Sequence, residues 1–315
     1  MKSIIQERVD MRKAIYVFSG QGAQTVGMGA DLLEASSSAK IVFEKADETL
    51  GWSISEVCFE GPAEKLTSSK FCQPAIYTMS AACLAAFNER HAGVKPVAVA
   101  GLSLGEFAAL CAAGTLDFET GLKLVAKRGE LMDKACSETN GAMASVLGAP
   151  LETIKAVCGE CDVDVANHNC PGQIVISGEK DRVSDAVKML KERGVRKVIP
   201  LKVAGAFHSR LMEGAAAEFA EILKDVELKP PAIPVAQNVT GGFVEDPEKI
   251  RANLAKQVSG SVLWEDCVRT MVEKTEPAIA LEFGPGEVLT GLIRRTVSHV
   301  ATFNMNKAEN LDNFE

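Results

Sequence analysis

The stretch Val97–Gly114, VAVAGLSLGEFAALCAAG, is the sequence feature that most constrains the fold. An apolar run stops at Gly101-Leu-Ser-Leu-Gly105 and resumes as an alanine-rich run, which predicts a buried strand followed by a helix. A strand can turn this sharply into a helix only where small residues flank the turn, and the turn presents the hydroxyl of Ser103. The pattern indicates a nucleophile elbow, and an ordinary strand-to-helix turn with two packing glycines is the alternative.

The elbow also predicts where a negative charge would be stabilised. The backbone N–H of Leu104, the residue after the serine, faces the position of a developing oxyanion, and the helix dipole adds positive potential. A glycine-rich loop, Ser19–Gly29, follows a predicted strand at Ala14–Phe18. Because loops at the carboxyl ends of neighbouring strands meet in open α/β sheets, we expect Gln21 to supply a second N–H donor. The loop lacks the Lys-Ser/Thr ending of a P-loop, which argues against a nucleotide site.

Composition limits the class of protein. With 315 residues, 47% hydrophobic and 24% charged, the chain can form one large domain that carries a smaller one. Its apolar runs are too short to span a membrane, and its start, Met1–Ala14, is polar and charged, so we expect a soluble cytoplasmic protein without membrane association. Nine scattered cysteines predict reduced, buried thiols without disulfides. The net charge of −8 argues against general nucleic-acid binding.

Periodicity predicts an α/β core interrupted by a compact insertion. From Gly141 to Val203 the expected order is strand, helix, two strands, helix, strand, which is ferredoxin-like. We therefore predict a hydrolase-like catalytic core with a parallel sheet over residues 1–140 and 204–315, and an inserted ferredoxin-like subdomain over 141–203. The expected elements of the insertion are Ala142–Leu147, Leu151–Cys158, Val163–Asn167, Gln173–Ser177, Asp181–Glu192 and Arg196–Leu201. Those of the core are Asp31–Leu50, Gln73–His91, Pro96–Ala100, Asp117–Glu138, Arg210–Lys224, the proline-marked segment Lys229–Val235, Lys249–Gln257 and Ala278–Phe283.

Two charged or titratable residues stand out as candidates for chemistry. Arg128 shares a helical face with Gly121, Leu124 and Leu131, so its guanidinium is predicted to be enclosed and to need an anion. An internal salt bridge is the alternative. His208 follows a small-residue stretch and precedes a predicted helix, where it could act as the base that a serine nucleophile needs; a structural histidine is the alternative.

A metal site is a further alternative. Cys158 and Cys161, followed by His168 and Cys170, suggest zinc, but the spacing is not a standard zinc pattern and the cysteines fall at a helix end, so we predict no metal. The run Asn167-His168-Asn169 is instead predicted to line the cleft between the two lobes.

Together, these motifs resemble the malonyl-CoA:acyl carrier protein transacylases of fatty-acid synthesis and the acyltransferase domains of polyketide synthases. The resemblance extends roughly from Ala14 to Met305. It is carried by Phe18–Gln24, Gly101–Glu106, Arg128, Ala166–Gly178, Ala206–Ser209, Gln257 and Glu282–Gly286.

The resemblance implies a role for each matching position. Ser103 would be the nucleophile and His208 the base, with a carbonyl of Gln257 orienting it and the N–H groups of Gln21 and Leu104 binding the oxyanion. The remaining implied roles are a carboxylate clamp at Arg128, substrate contacts at Asn167 and Phe207, and carrier or coenzyme A docking at Arg196 and Lys197. The implied partners are malonyl-CoA and an acyl carrier protein, without a cofactor beyond the thioester substrate.

Two positions depart from the family pattern. The family usually has proline where this chain has Ser19 and histidine where it has Leu102, and the second change replaces a polar group expected in the cleft with an apolar one. A serine thioesterase would use the same elbow but release its acyl group to water, and a non-catalytic carrier-docking subunit is a third possibility. Arg128 and Gln257 argue against the hydrolase, which would usually have an acidic residue behind its histidine.

Overall fold

The computed structural model describes residues 13–314. Residues 1–12 of the polar start and the last residue, Glu315, therefore lie outside the described residues. The strands are β1 Lys13–Phe18, β2 Lys95–Gly101, β3 Gly141–Leu147, β4 Asp164–Cys170, β5 Gln173–Glu179, β6 Lys197–Pro200, β7 Val235–Ala236, β8 Ile279–Phe283 and β9 Ala301–Asn304. The helices are α1 Ala30–Ala35, α2 Ser37–Leu50, α3 Ile54–Phe59, α4 Ala63–Thr67, α5 Ser69–Arg90, α6 Gly105–Ala112, α7 Phe118–Glu138, α8 Leu151–Cys161, α9 Lys180–Glu192, α10 Glu213–Lys224, α11 Pro247–Gln257, α12 Trp264–Thr275, α13 Val288–Thr296 and α14 Ala308–Asp312.

A five-stranded parallel sheet forms the centre of the larger part, in the order β7-β2-β1-β8-β9. Its middle strand β1 is buried on both faces: Tyr16 and Phe18 pack into one hydrophobic cluster, and Ile15 and Val17 into another. Such two-sided burial is what a parallel sheet covered by helices requires. It explains why β1 and β2 appear in the sequence as continuous apolar runs.

A second, four-stranded antiparallel sheet has the order β4-β5-β3-β6. Its first strand along the chain, β3, therefore lies between its third, β5, and its fourth, β6, which is the ferredoxin-like arrangement. Helices α8 and α9 cover one face, where Val146 and Val198 contribute to a third hydrophobic cluster. The predicted fold class, a parallel α/β sheet with a separate ferredoxin-like sheet, is confirmed. The exact division after residues 140 and 203 stays a prediction.

Several predicted boundaries were wrong. The single helix expected over Asp31–Leu50 is two helices, because Ser36 has an extended backbone and its Oγ accepts a hydrogen bond from Ala39 N at 3.2 Å, capping α2. The helix expected from Gln73 begins at Ser69, so Pro74 lies inside it. Asp133 accounts for the earlier start, since its carboxylate accepts from Ser69 N at 3.1 Å.

The carboxyl-terminal third contains elements that the pattern did not predict. Helices α12 and α13 cover one face of the parallel sheet through residues such as Trp264 and Leu292. The strand predicted over Ala278–Phe283 is β8, and it is not the last strand of the sheet, because β9 pairs beside it at the edge. Within residues 13–314, no helix has the length and apolar character needed to cross a membrane.

Candidate active site

Ser103 lies at a sharp turn between β2 and α6, with a backbone φ of 52°. This left-handed conformation is uncommon for a residue with a side chain and is maintained only where the surroundings enforce it. Asn238 provides that constraint: its Oδ1 accepts from Ser103 N at 2.6 Å and its Nδ2 donates to Gly101 O at 2.8 Å. A Cβ added at Gly101 would meet the Gly105 backbone at 1.9 Å, so the turn requires the glycine. The predicted elbow geometry is present.

His208 faces the serine. Its Nε2 lies 2.8 Å from Ser103 Oγ, and its Nδ1 lies 2.8 Å from Gln257 O and 3.2 Å from Gly260 O. Because two carbonyl oxygens face Nδ1, that nitrogen carries the ring proton, which leaves Nε2 to accept the serine proton. The structure thus brings together Ser103, His208 and the Gln257 carbonyl as the sequence predicted.

The His208 ring is held in its neutral form. The residue is 5% exposed, and burial together with the nearby positive charge of Arg128 lowers its pKa from 6.5 to about 4. A neutral imidazole that accepts a hydrogen bond from a serine hydroxyl can act as a general base over the whole physiological pH range.

Arg128 extends from α7 into the same site and is 1% exposed. Its Nη1 donates to Gln73 Oε1 at 2.7 Å, and its Nη2 donates to Ser103 Oγ at 3.0 Å and to Gln257 Oε1 at 2.9 Å. All these partners are neutral, and among residues 13–314 Arg128 forms no salt bridge. Its Nε is buried without a partner. The enclosed guanidinium was predicted correctly, and the internal salt bridge is not formed.

The glycine-rich loop after β1 packs against the elbow. Leu102 N donates to Phe18 O at 3.1 Å, and a Cβ added at Gly20 would lie 2.6 Å from Leu102 O. This close approach places Gln21 on the wall of the cleft that contains Ser103. Leu104 precedes the first residue of α6, so its N–H lies at a helix N-terminus. The oxyanion roles of Gln21 and Leu104 stay predictions.

A cleft of about 280 Å³ opens above Ser103 and His208. Asn167 and Phe207 line it, as the sequence predicted, and Leu102 also contributes to its wall. Asn169 lines it too, and its Oδ1 is buried without a partner. His168 does not line it: alternation along β4 directs this side chain away, and its pKa is lowered by burial.

The two residues predicted to dock a carrier lie outside the cleft wall. Arg196 and Lys197 are exposed at the start of β6, and Lys202, farther along the chain, is the cation that lines the cleft. Two basic residues earlier in the chain are already paired: Lys188, in α9, with Asp185 at 3.0 Å, and Arg193, directly after α9, with Glu160 at 2.5 Å. Arg196 and Lys197 have no ion-pair partner within residues 13–314.

Three polar residues of the site were missed by sequence reasoning. Gln73 and Asn238 hold Arg128 and the elbow, and Glu106 is a fully buried carboxylate on α6. Glu106 could have been found by the argument used for Arg128, since it is a charge in an otherwise apolar helix, EFAALCAA. Asn238 follows the carboxyl end of β7, but β7 has only two residues, which is too short for a strand pattern to show in the sequence.

The zinc alternative finds no geometric support. Cys158 and Cys161 pack in the cluster beneath the antiparallel sheet, whereas Cys170 packs beside the parallel sheet. Within the described part of the chain, no three histidine, cysteine, aspartate or glutamate side chains are arranged to hold a metal ion.

Comparison with known proteins supports the same chemistry. The family model described as "Acyl transferase domain" matches residues 15–311. The malonyl CoA-acyl carrier protein transacylase of Bacillus subtilis is 39% identical over 307 residues, 96% of either chain. A polyketide biosynthesis malonyl CoA-acyl carrier protein transacylase of the same organism, PksC, is 45% identical over 285 residues, 89% of this chain and 96% of the relative.

The chain belongs to the acyl transferase family. Among solved structures, a malonyl-transacylase in complex with its type II PKS acyl-carrier protein superposes with a TM-score of 0.91 at 36% identity, covering 95% of this chain and 98% of the other. The acyl transferase is therefore an enzyme, and its cleft holds Ser103 and His208 in hydrogen-bond contact.

The low pKa of His208 predicts how the acyl transferase responds to acid. Since the folded protein disfavours the imidazolium, Ser103 should keep its reactivity as the pH falls through 6.5 and lose it only near the pKa of about 4. Inactivation by phenylmethylsulfonyl fluoride, followed against pH, measures this, with His208→Asn as the control that lacks the base. An acid limb centred near 6.5 would contradict the assignment.

Proposed function

We propose that the chain transfers malonyl from malonyl-CoA to the phosphopantetheine thiol of an acyl carrier protein, through a malonyl-serine intermediate, in fatty-acid biosynthesis. The observation that carries this proposal is a buried arginine within hydrogen-bond distance of the nucleophile, 3.0 Å from Arg128 Nη2 to Ser103 Oγ. The relatives named malonyl CoA-acyl carrier protein transacylase support the same donor and acceptor.

The first half-reaction acylates the serine. His208 Nε2 accepts the proton of Ser103 as Oγ attacks the thioester carbon, and the same nitrogen then protonates the leaving coenzyme A sulfur. The N–H groups of Gln21 and Leu104 stabilise the oxyanion of the tetrahedral intermediate. In the second half-reaction the carrier thiol gives its proton to His208 Nε2 and attacks the malonyl ester carbon. The ester bond to Ser103 breaks, and His208 returns the proton to Ser103 Oγ.

Arg128 explains the choice of malonate. The distal carboxylate carbon of a malonyl ester is two bonds from the ester carbon, so it lies within reach of a guanidinium that already contacts the serine oxygen. A planar guanidinium binds a carboxylate through parallel hydrogen bonds, which the buried, unpartnered Nε could join. An acetyl group would leave this buried charge without its anion, at a cost of roughly 2–5 kcal/mol.

The rival thioesterase activity is less consistent with the site. A hydrolase of this geometry usually orients its histidine with a carboxylate. Here His208 Nδ1 faces two backbone carbonyl oxygens, of Gln257 and Gly260. Intact Ser103, His208 and Arg128 also argue against a docking subunit without catalytic activity.

Serine acyl transfer requires a nucleophile, a base and oxyanion donors, all supplied by this chain, so we propose no metal or redox cofactor; the coenzyme A thioester is substrate. We place the protein in the cytoplasm. All nine cysteines have free thiols, and most are buried, which suits a reducing compartment.

The acyl carrier protein is the proposed macromolecular partner, by analogy with the solved complex of a malonyl-transacylase and its carrier. This chain has a net charge of −8, so an acidic carrier needs a local positive surface. Lys197, the first residue of β6, and Arg196, which precedes it, provide such a surface. Lys197 pairs with Leu147, on the face of the sheet opposite the helices, and Ile199 on the same face is 42% exposed.

A polyketide pathway is the second candidate, favoured by the 45% identity to PksC. The chemistry would be the same and only the carrier would differ. Comparing malonyl transfer to a fatty-acid carrier and to a polyketide carrier at equal concentration distinguishes the two.

Ser103→Ala should abolish acyl-enzyme formation while leaving the fold intact, because the hydroxyl lies at the cleft and its loss opens no core cavity. Intact-mass spectrometry after brief mixing with malonyl-CoA measures the adduct. A malonyl adduct that persists on the Ala variant would rule out this nucleophile, and wild-type protein that never forms one would refute the proposed function.

Arg128→Ala should slow acylation by malonyl-CoA at least about 30-fold, from the lower limit of roughly 2 kcal/mol, and acylation by acetyl-CoA much less. Arg128→Lys is the matched control, since it keeps the charge but loses the planar fork. The ratio of the two acylation rates is the measurement. Equal losses for both donors would indicate that Arg128 serves stability alone.

Reversing both Arg196 and Lys197 to Glu should slow malonyl transfer to the carrier protein at low salt without slowing acylation of Ser103. Added salt should narrow the difference, because exposed charges act through screened attraction. The matched control reverses Lys155 and Lys180, two exposed lysines on the helices that cover the other face of the small sheet. A wild-type transfer rate in the first variant would place carrier docking elsewhere.

A further inference from the structure

Glu106 is a buried carboxylate that the reaction itself does not use. It lies in the first turn of α6, three residues after the nucleophile, and is 0% exposed. Its two oxygens accept hydrogen bonds from Gln237 Nε2, Asn238 N and Gln257 Nε2, each at 2.9 Å. All three partners are donors, so the side chain that satisfies them must only accept. An ionised carboxylate does this, whereas an amide would direct its own N–H at one of them.

Two opposed effects act on the pKa of the Glu106 carboxyl. Burial raises the pKa of its carboxyl, while the three donated hydrogen bonds and the positive charge of Arg128 oppose that rise. Arg128 lies nearby but not in contact: among residues 13–314 there is no ion pair between the two side chains. The carboxylate and the guanidinium are instead joined through one side chain, that of Gln257.

Gln257 has a defined amide orientation. Its Nε2 donates to Glu106 Oε2 at 2.9 Å and to Ser103 O at 2.8 Å. With both amide protons directed at acceptors, Oε1 must face the other way, and it accepts from Arg128 Nη2 at 2.9 Å. If the amide turned over, an N–H group would face the guanidinium and the carbonyl oxygen would face the carboxylate, which is repulsive on both sides.

We propose that Glu106 is a positioning residue, which fixes the side-chain amide of Gln257 and thereby holds the Arg128 guanidinium in the orientation that receives the distal carboxylate of the acyl donor. The inference rests on the proposed malonyl transfer. It assigns to Glu106 a part in donor selection, although Glu106 touches neither the acyl group nor the reacting atoms. It also explains why a glutamate directly follows the elbow in an otherwise apolar helix.

The test uses Glu106→Gln, with Glu282→Gln as a matched control. Glu282 is also buried, 1% exposed, and also accepts backbone N–H groups, from Leu289 at 3.0 Å and from Thr290 at 2.7 Å. It lies on β8 and does not line the cleft. The control therefore reports what loss of a buried carboxylate does to stability alone. Acylation rates with malonyl-CoA and acetyl-CoA are measured by intact mass, and melting temperatures are measured for all proteins.

Glu106→Gln should slow malonyl acylation about tenfold or more and acetyl acylation less than about threefold, so that the malonyl preference falls. The pH dependence of malonyl acylation should change as well, at its alkaline end. Burial lowers the pKa of Arg128 to about 10, and the negative charge of Glu106 counteracts this lowering. The other titratable group beside the guanidinium is His208, whose ring is neutral. Without the Glu106 charge, malonyl acylation should decline at lower pH than in the wild type, and acetyl acylation should show no such change. Glu282→Gln should alter neither quantity.

A second variant keeps the inference testable if Glu106→Gln does not fold. Gln257→Ala removes the linking amide but keeps the backbone carbonyl that orients His208. It should reduce the malonyl preference to the same extent, and the double variant should lose no more than either single one. An unchanged preference in both single variants would overturn the inference while wild-type acylation still supports malonyl transfer. Absence of wild-type acylation would instead refute the proposed function.

Discussion

The structure buries the guanidinium of Arg128 without placing a carboxylate against it. Removing a charge from water costs several kcal/mol, and an adjacent counter-ion is the usual way to recover that free energy. Here the direct partners are two glutamine oxygens and the serine hydroxyl, all neutral. The buried guanidinium therefore carries a desolvation cost, which an anionic acyl group offsets in the proposed function. In the proposed function, the side chain that selects the acyl donor also contacts the nucleophile, because Arg128 Nη2 lies 3.0 Å from Ser103 Oγ.

The proposed nucleophile and the proposed base share an unusual backbone conformation. Ser103 has a φ of 52° and His208 a φ of 57°, and each such residue costs on the order of 1–3 kcal/mol. Each is held by partners from a distant part of the chain. Asn238 fixes the elbow, and the carbonyls of Gln257 and Gly260 fix the imidazole. Strain at the two reacting residues is thus balanced by the segment from Asn238 to Gly260, which touches both.

The sequence predicts a functional residue when its type is unusual for the sequence around it. Ser103 follows from glycines that only a tight turn needs, and Arg128 from a charge on an apolar helical face. Gln73 and Asn238 gave no such signal, since neutral amides are common in any context and their roles arise from contacts across 55 and 135 residues. The break at Ser36 was missed for a similar reason. Its hydroxyl donates to Glu89 at 2.7 Å, a contact that helical periodicity does not encode.

The two sheets contribute different kinds of residue to the site. Ser103, Arg128, His208 and Gln257 all come from elements outside the antiparallel sheet, whereas that sheet contributes only lining residues such as Met143 and Asn167. A change on the helix-free face of the small sheet, where carrier docking is proposed, can therefore alter which macromolecule docks without moving Ser103 or His208. The larger part behaves differently, because Gln257 joins Ser103, Glu106 and Arg128 through a single side chain. A change at Glu106 or at the Gln257 amide therefore reaches the Arg128 guanidinium, while the backbone carbonyl of Gln257 still orients His208.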